Sequence, residues 1–172
     1  MNEDDELLDL VNREDQVIGT INRKDYAQLL ESDLGFIRAT QVFLVNDSGL
    51  VYIPVRTAHK TIAPNGFDYS AGGHVGAGDE YAPALVREAK EELNLDVDES
   101  DLELIAKVVE EEIRYINSIY LLRTNQTPEL NPDDFVSAEW LTPEQLIAKI
   151  DAGHPAKDSL RGATIKLQEY LT

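Results

Sequence analysis

A glycine-rich turn that leads directly into an amphipathic helix is the feature that most limits how this chain can fold. The turn covers Gly72–Gly78, and glycine allows positive φ angles and a close approach of the backbone to other groups. A helix is predicted over Glu80–Asn94, because Leu85, Ala89 and Leu93 recur at the helical period and form one apolar stripe. The pattern predicts a turn and a helix that packs on a core through one face.

The same helix carries three acidic residues on another face. Glu88, Glu91 and Glu92 stand at i, i+3 and i+4, which brings them within about 100° of each other around the helix axis. Each close pair of like charges costs roughly a few tenths of a kcal/mol on an exposed helix. Hard oxygen ligands on adjacent turns suit Mg²⁺ or Mn²⁺. The spacing therefore predicts a cation site, with a solvated acidic surface as the alternative.

Net charge and composition exclude several classes of protein. The chain carries 15 Lys and Arg against 33 Asp and Glu, a formal charge of −18, which disfavours binding to nucleic-acid polymers and to anionic membranes. Hydrophobic residues make up 42% of the chain, enough to build a core, so a disordered acidic tail is excluded. The absence of cysteine rules out disulfides, thiolate metal sites and cysteine nucleophiles. With neither a leader segment nor an apolar span predicted, we expect a cytoplasmic protein.

The order of the predicted elements indicates an α/β (α+β) sandwich with a sheet between helices. The length favours a single domain over residues 1–172, in which residues 1–35 form an N-terminal extension of a hairpin and a helix. Further helices are expected after Asn22, from Thr142 to Ala152 and from Asp158 to Leu171. The predicted strands are Glu6–Asn12, Gln16–Ile21, Phe36–Asn46, Leu50–Arg56, Leu102–Glu112, Ile113–Thr124 and Ala138–Leu141, with a short segment at Asp68–Ala71.

From Gly73 to Leu95 the chain resembles the Nudix box, G-x5-E-x7-R-E-U-x-E-E-x-G-U, in which U is a bulky aliphatic residue. Two positions depart from the pattern. Asp79 stands where the box has its early Glu, and Asn94 replaces the late Gly, although Asn is the next best residue for a left-handed helix cap. The resemblance implies a Nudix-type α/β/α sandwich with a mixed sheet. It also implies cleavage of a diphosphate linkage by water attack at phosphorus, with Mg²⁺ or Mn²⁺.

The resemblance also assigns roles to the residues of the box. It implies that Glu88, Glu91 and Glu92 are metal ligands, joined by the backbone carbonyl of Gly72. It implies that Arg87 holds these carboxylates by ion pairing and does not contact the substrate. One of the glutamates could also accept a proton from the attacking water.

A further acid acts as general base in many Nudix proteins, in a distal loop before a strand near the C-terminal end. Asp134, in the loop 131–134, is the residue of this chain that the resemblance indicates. Glu110, Glu111 and Glu112 are rivals, although strand alternation would put Glu111 on the face opposite to its neighbours.

Two basic residues are candidates for binding a substrate phosphate. Arg56 and Lys60 lie in residues 36–78, the stretch of the chain with a positive balance of charge. Arg56 ends a predicted strand and could meet a phosphate in a bidentate contact. For both residues, a solvated surface cation is the alternative.

Two segments outside the box resemble the isopentenyl-diphosphate-isomerase-like branch of the family, namely Asp9–Gly19 and Ser70–His74. True isomerases of that branch use a cysteine, which this chain lacks, and metal-binding histidines that have no obvious counterpart here. The leading hypothesis is a hydrolase of nucleoside di- or triphosphates or related nucleoside diphosphate derivatives. An isomerase of prenyl diphosphates and a catalytically silent nucleotide-binding module are the alternatives. We expect the partner to be a small anionic diphosphate and the protein to be a monomer or a homodimer.

Overall fold

The computed structural model describes residues 3–172, so that the first two residues of the predicted N-terminal extension lie outside it. Among the described residues, no helix is long and apolar enough to cross a membrane. Short 3-10 turns occur at Glu3–Asp5, Arg23–Asp25 and Glu99–Asp101. The strands and helices in chain order are β1 (Leu7–Val11), β2 (Val17–Asn22), α1 (Tyr26–Leu30), β3 (Ile37–Val45), β4 (Val51–Arg56), β5 (Ala71–His74), α2 (Tyr81–Leu93), β6 (Leu102–Glu110), β7 (Tyr115–Arg123), β8 (Phe135–Leu141), α3 (Pro143–Asp151) and α4 (Leu160–Leu171).

Six strands form a mixed sheet in the order β6-β7-β3-β4-β8, with β5 paired to β3. The pair β3–β7 is parallel and the other pairs are antiparallel. Strands β3 and β4 pair only at Val45–Val51, where the hairpin closes. Away from the hairpin turn, β3 pairs with β5, and β4 pairs with β8. The sheet therefore divides beyond Val45, and Pro54 lies on a stretch of β4 whose partner strand is β8.

Helices cover both faces of this sheet, because β3 alternates its apolar side chains between two cores. Phe43 and Val45 pack in the core that includes Leu146 of α3 and Leu160 of α4. Val42 and Leu44 point the other way, into the core that contains Leu85 and Leu93 of α2. Two-sided burial along a single strand requires a layer of helices on each face. The predicted α/β/α sandwich with a mixed sheet is confirmed.

The predicted glycine turn is wrong in its extent. Gly72 and Gly73 belong to strand β5, where they pair with Gln41 and Thr40 of β3, and the chain turns only afterwards, around Gly78, with φ of 80°. A glycine in a strand leaves no side-chain pattern for a sequence argument to detect. Strand β8 is also longer than predicted, since it begins at Phe135.

The N-terminal hairpin of β1 and β2 packs beside the turn that precedes α2. The backbone N–H of Ala77 donates to the Leu7 carbonyl at 2.8 Å, and that of Gly78 donates to Asp9 Oδ2 at 3.0 Å. At the tip of the hairpin, Asp15 accepts hydrogen bonds from Arg38 Nε at 2.7 Å and from the Tyr81 hydroxyl at 3.1 Å. The hairpin therefore holds, through these hydrogen bonds, the turn that precedes α2.

Candidate active site

A cleft of about 1280 Å³ opens where the sheet divides and is lined by β3, β5, β7, one face of α2, the loop before β8 and the loop between α3 and α4. Its wall contains acidic, basic and aromatic side chains that are far apart in the sequence. Each of the eight site residues predicted from the sequence lines this cleft: Arg56, Lys60, Gly72, Arg87, Glu88, Glu91, Glu92 and Asp134.

Helix α2 presents its acidic face to the cleft because its apolar face is committed to the core. Leu85 and Leu93 are fully buried, which fixes the rotation of the helix. The helix ends at Asn94, which has φ of 51° and ψ of 33° and is therefore left-handed. After glycine, asparagine is the residue that best tolerates this conformation. The replacement of the glycine of the box pattern by Asn94 therefore leaves the helix end intact.

Glu92 and Glu88 are held close to the backbone of β5. The Gly72 N–H donates to Glu92 Oε2 at 2.9 Å. Burial raises the pKa of Glu92 well above its ordinary value, and the negative charge of Asp68 adds to this effect. Burial is also the main cause that raises the pKa of Glu88 to about 7, with a further contribution from the negative charge of Glu91. Ionisation of these two carboxyl groups is therefore less favourable than in free glutamate.

Gly72 and Gly73 are needed here for space. A Cβ atom on Gly73 would lie 2.5 Å from Glu88 Oε1, and one on Gly72 would lie 2.0 Å from Gln41 Oε1 and 2.5 Å from the Thr40 carbonyl oxygen. Neither glycine has a positive φ. The glycine pair lets two side chains lie directly against the strand.

Arg87 connects the acidic face of α2 to the turn before the helix. Its Nη1 lies 3.2 Å from Asp79 Oδ2, and its Nη2 lies 3.5 Å from both Glu88 Oε1 and the His74 carbonyl oxygen. Asp79, one methylene shorter than the glutamate of the box pattern, thus still reaches this arginine. Arg87 thus pairs with one carboxylate of α2 and one of the preceding turn, and its role in holding metal ligands stays a prediction.

The groups around Gly72 suit a hard divalent cation. Carboxylate, carbonyl and amide oxygens are available from Glu88, Glu92, Gly72 and Gln41, and the buried Gln41 Oε1 has no hydrogen-bond partner among residues 3–172. Among residues 3–172, no group of three or more Asp, Glu or His side chains is arranged to hold a metal ion, and this includes the three predicted glutamates of α2. Mg²⁺ commonly takes one or two carboxylates together with waters and substrate phosphates. The residues therefore fit a cation that is shared with a phosphate ligand.

Arg56 and Lys60 are fixed in place by acidic partners. Arg56 Nη1 pairs with Asp68, its Nε donates to the Ile62 carbonyl at 2.7 Å, and its side chain is 12% exposed. Lys60 Nζ donates to Asp134 Oδ1 at 2.6 Å. Both cations are paired with aspartates on the wall of the cleft, and Lys60 keeps 27% of its side chain exposed; a role in binding phosphate stays a prediction.

The candidates for a general base have different surroundings. Asp134 is paired with Lys60, whereas Glu110 accepts a hydrogen bond from Asn117 Nδ2 at 3.1 Å. Burial raises the pKa of Glu110, and the Asn117 hydrogen bond partly offsets that rise. Of its neighbours, Glu112 lines the cleft, while Glu111 forms an ion pair with Arg13.

Sequence reasoning missed Lys157 and Asn117, which also line the cleft. Lys157 lies in the loop between α3 and α4, outside any motif, and reaches Asp68 Oδ1 with its Nζ at 3.0 Å. Asn117 lies within β7, where only its register with β3 brings it to the cleft. A polar residue inside an apolar strand is the one signal that could have indicated Asn117.

Comparisons with known proteins identify relatives of this chain. The family model described as NUDIX domain matches residues 35–161. A protein named Nudix hydrolase from Deinococcus radiodurans is 41% identical over 158 residues, covering 91% of this chain and 90% of that protein. An uncharacterised Nudix hydrolase from a Nostoc species is 36% identical over 162 residues, covering 93% and 94%.

Solved structures show the same fold. A crystal structure of DR0079 from Deinococcus radiodurans superposes with a TM-score of 0.81 at 38% identity, covering 94% of this chain and 98% of that chain. A MutT protein from Methanosarcina mazei Go1 superposes with a TM-score of 0.64, covering 82% and 99%. Its identity is 14%, so this second likeness concerns the fold alone.

Proposed function

Because this chain belongs to the NUDIX domain family and is a Nudix hydrolase, we propose that it hydrolyses diphosphate linkages in nucleoside diphosphate derivatives. Nucleoside di- and triphosphates are the first substrates to consider. The reaction is water attack at phosphorus and depends on Mg²⁺ or Mn²⁺. The substrate is a small molecule, which matches the dimensions of the cleft.

This proposal rests on one observation: acidic and basic side chains lie together on the wall of one cleft. The acidic face of α2 supplies Glu88, Glu91 and Glu92, and the end of β4 with the loop that follows it supplies Arg56 and Lys60. A diphosphate bears negative charge along its whole length, so it needs cations on each side. The basic side chains provide positive charge directly, whereas the glutamates provide it only by recruiting metal ions.

In this proposal, Glu88, Glu91, Glu92 and the carbonyl of Gly72 hold the divalent cation. When bound, the cation supplies positive charge that offsets the diphosphate oxygens and activates a water nucleophile. The Gly72 N–H orients Glu92 through its hydrogen bond. Arg87 restrains Glu88 from the side of the helix, and does so without contact to the substrate.

The general base is proposed among two residues of the cleft. Asp134 remains the first candidate, and its pairing with Lys60 would have to loosen when a substrate phosphate attracts that lysine. Glu110 is the second, because burial raises its pKa and a base works best with a pKa near the working pH. D134N and E110Q variants distinguish the two, since only the loss of the base lowers kcat with little change in KM.

A substrate panel tests the proposed function. The protein is incubated with Mg²⁺ or Mn²⁺ and with nucleoside diphosphates, nucleoside triphosphates, nucleotide sugars or isopentenyl diphosphate, and phosphate release and isomer composition are followed. We expect phosphate release from nucleotides and no isomerisation. Absence of turnover by a folded protein would leave the silent binding module as the remaining interpretation. Isomerisation without hydrolysis would favour the isomerase.

Thermal melting tests the cation site independently of turnover. Mg²⁺ at a hundredfold excess over its Kd should stabilise the wild type by about 2.7 kcal/mol. E92Q should melt slightly higher than wild type without metal, because it relieves like-charge repulsion, and should gain little from Mg²⁺. E169Q, on the exposed surface of α4, is the matched control and should respond as wild type does. An unchanged wild-type melting temperature in millimolar Mg²⁺ would refute this site.

A further inference from the structure

The loop between α3 and α4 is attached to the segment that leads into β5. The Phe67 N–H donates to the Pro155 carbonyl at 2.8 Å, and the Lys157 N–H donates to the Phe67 carbonyl at 3.0 Å. The ring of His154 stacks on that of Phe67, with centroids 3.8 Å apart and planes inclined by 7°. These contacts fix the backbone of Lys157 beside the cleft.

Two cations share one buried carboxylate in this region. Lys157 Nζ lies 3.0 Å from Asp68 Oδ1, and Arg56 pairs with Oδ2 of the same residue. Asp68 also accepts the Tyr69 N–H at 2.7 Å, and its side chain is 5% exposed. One negative charge thus faces two positive charges, and charges with so little exposure are normally balanced. Within these direct contacts, the positive charges outnumber the negative charge by one.

The nearby acids Glu92 and Glu110 act on Lys157 through their charge, but among the described residues the ion pair of Lys157 is with Asp68. Glu92 accepts the Gly72 N–H, and Glu110 accepts Asn117 Nδ2. Lys157 keeps 23% of its side chain exposed and lines the same cleft as the glutamates of α2. An anionic ligand in the cleft can therefore reach the ammonium group of Lys157, next to Arg56.

We propose that Lys157 is a substrate-binding residue, held by Asp68 beside Arg56, that contacts the phosphate oxygens of the substrate. This inference rests on the proposed function and adds to it a cation from the C-terminal loop. A lysine ammonium is a compact point charge that suits phosphate. Because its backbone and its ammonium group are both held before the ligand arrives, little conformational entropy is lost on binding.

Binding of inorganic diphosphate in the presence of EDTA tests the inference without turnover and without a cation. We expect K157Q to bind it about 10- to 100-fold more weakly than wild type, as for loss of a hydrogen bond to a charged group. K90Q is the matched control, because Lys90 also pairs with an aspartate, Asp96, at 3.1 Å but lies outside the cleft. Equal affinity of K157Q and wild type, or no binding to wild type, would overturn the inference.

A second measurement uses the unaltered protein, in case K157Q is destabilised by the loss of an Asp68 partner. The lysines of the wild-type protein are acetylated in the presence and in the absence of inorganic diphosphate. Mass spectrometry then measures the extent of acetylation at each lysine. We expect diphosphate to protect Lys157 and to leave the rate at Lys90 unchanged. Equal modification of Lys157 in both conditions would overturn the inference.

The two proposals fail in different ways. Lys157 protected by diphosphate, together with no turnover of the substrate panel, would reject the hydrolase activity and keep the binding residue. Turnover of nucleotides by K157Q with the KM of wild type would reject Lys157 and keep the hydrolase. A raised KM with a smaller change in kcat supports both.

Discussion

Individual residues of the cleft wall differ in how much room they have, and Gly72 and Gly73 illustrate the difference. A methyl group on Gly73 would contact the flexible end of the Glu88 side chain. A methyl group on Gly72 would contact the Gln41 side chain and, in addition, the Thr40 carbonyl oxygen of β3. A side-chain end can rotate away, but a backbone oxygen within a sheet cannot. Gly72 is therefore needed for the fold of the strand pair, whereas Gly73 is needed for the position of the Glu88 carboxylate.

This difference gives a testable pair of substitutions. We expect G73A to melt within about 1 kcal/mol of wild type but to lose the gain in melting temperature that Mg²⁺ produces, because Glu88 is displaced. We expect G72A to be destabilised by about 1–3 kcal/mol or more, as in overpacked cores. Thermal melting with and without Mg²⁺ measures both effects. A G73A protein that responds to Mg²⁺ as wild type does would show that the position of Glu88 is unimportant for the cation.

At the residue scale, the sequence predicted what helix geometry determines locally. The relative directions of Glu88, Glu91 and Glu92 follow from the helical period alone, so these residues could be assigned before any fold was known. Lys157 and Asp68 could not be paired in this way, because their contact depends on the docking of the C-terminal loop on Phe67. Gln41 and Asn117 were missed for a similar reason, since the register between strands brings them to the cleft.

At the scale of elements, the N-terminal hairpin is linked to the sandwich by the ionic cluster at its tip. Asp15 has a positive φ of 62° and meets Arg38, Lys107 and Tyr81. Partial burial acts to raise the pKa of Asp15, but hydrogen bonds from Lys107 and Arg38 and their positive charges outweigh it, so the pKa lies below its ordinary value. The ionised form of Asp15 therefore stabilises the folded state.

The lowered pKa of Asp15 predicts a pH-dependent effect of its removal. A carboxyl group whose pKa is lower in the folded state than in the unfolded state stabilises the fold in its ionised form. This stabilisation is complete above the unfolded-state pKa, about 3.9, and is lost as the pH falls through the folded-state pKa. D15N should thus unfold about 2 kcal/mol more easily than wild type at pH 7, and the difference should shrink below about pH 4. Urea denaturation across this range measures it. D33N is the control, because Asp33 is 97% exposed, and a difference for D15N that does not change with pH would contradict the assignment.

The elements themselves were largely predictable, and the exceptions have a common cause. Alternating or periodic apolar residues identified most of the strands and helices, among them β3, β7 and α2. Strand β5 was mistaken for part of a turn, because Gly72 and Gly73 have no side chains to show alternation and are extended only through pairing with β3. Strand β8 was predicted too short, since Phe135 and Val136 are consecutive apolar residues that break the alternating pattern, although only Phe135 is buried.

At the scale of the whole molecule, the net charge of −18 determines how the protein responds to salt. Repulsion among excess acidic residues opposes the compact state and is screened by ions, with a Debye length of about 10 Å at 0.1 M. Exposed ion pairs are weakened too, but each contributes only about 0–1 kcal/mol. Screening of the excess negative charge should therefore dominate.

We expect sodium chloride to raise the melting temperature. In EDTA, an increase from about 0.02 M to about 0.5 M salt should raise it by about 2–4 °C for each kcal/mol of repulsion that is screened. Differential scanning calorimetry measures the change. Choline chloride at the same ionic strength should have the same effect, which separates screening from sodium binding. A lower melting temperature at high salt would mean that ion pairs outweigh the repulsion.

The parallel pairing of β3 with β7 has a consequence for the order of events during synthesis on the ribosome. The register runs from Ile37–Tyr115 to Val45–Arg123, so the centre of the sheet cannot close until residue 123 has emerged. Helix α2 is made in the interval, and the core that buries Leu85 and Leu93 stays incomplete until Leu122 of β7 arrives. Pairings of such high contact order also form slowly. The acidic residues around that helix would then keep the incomplete chain in solution until its last strands arrive.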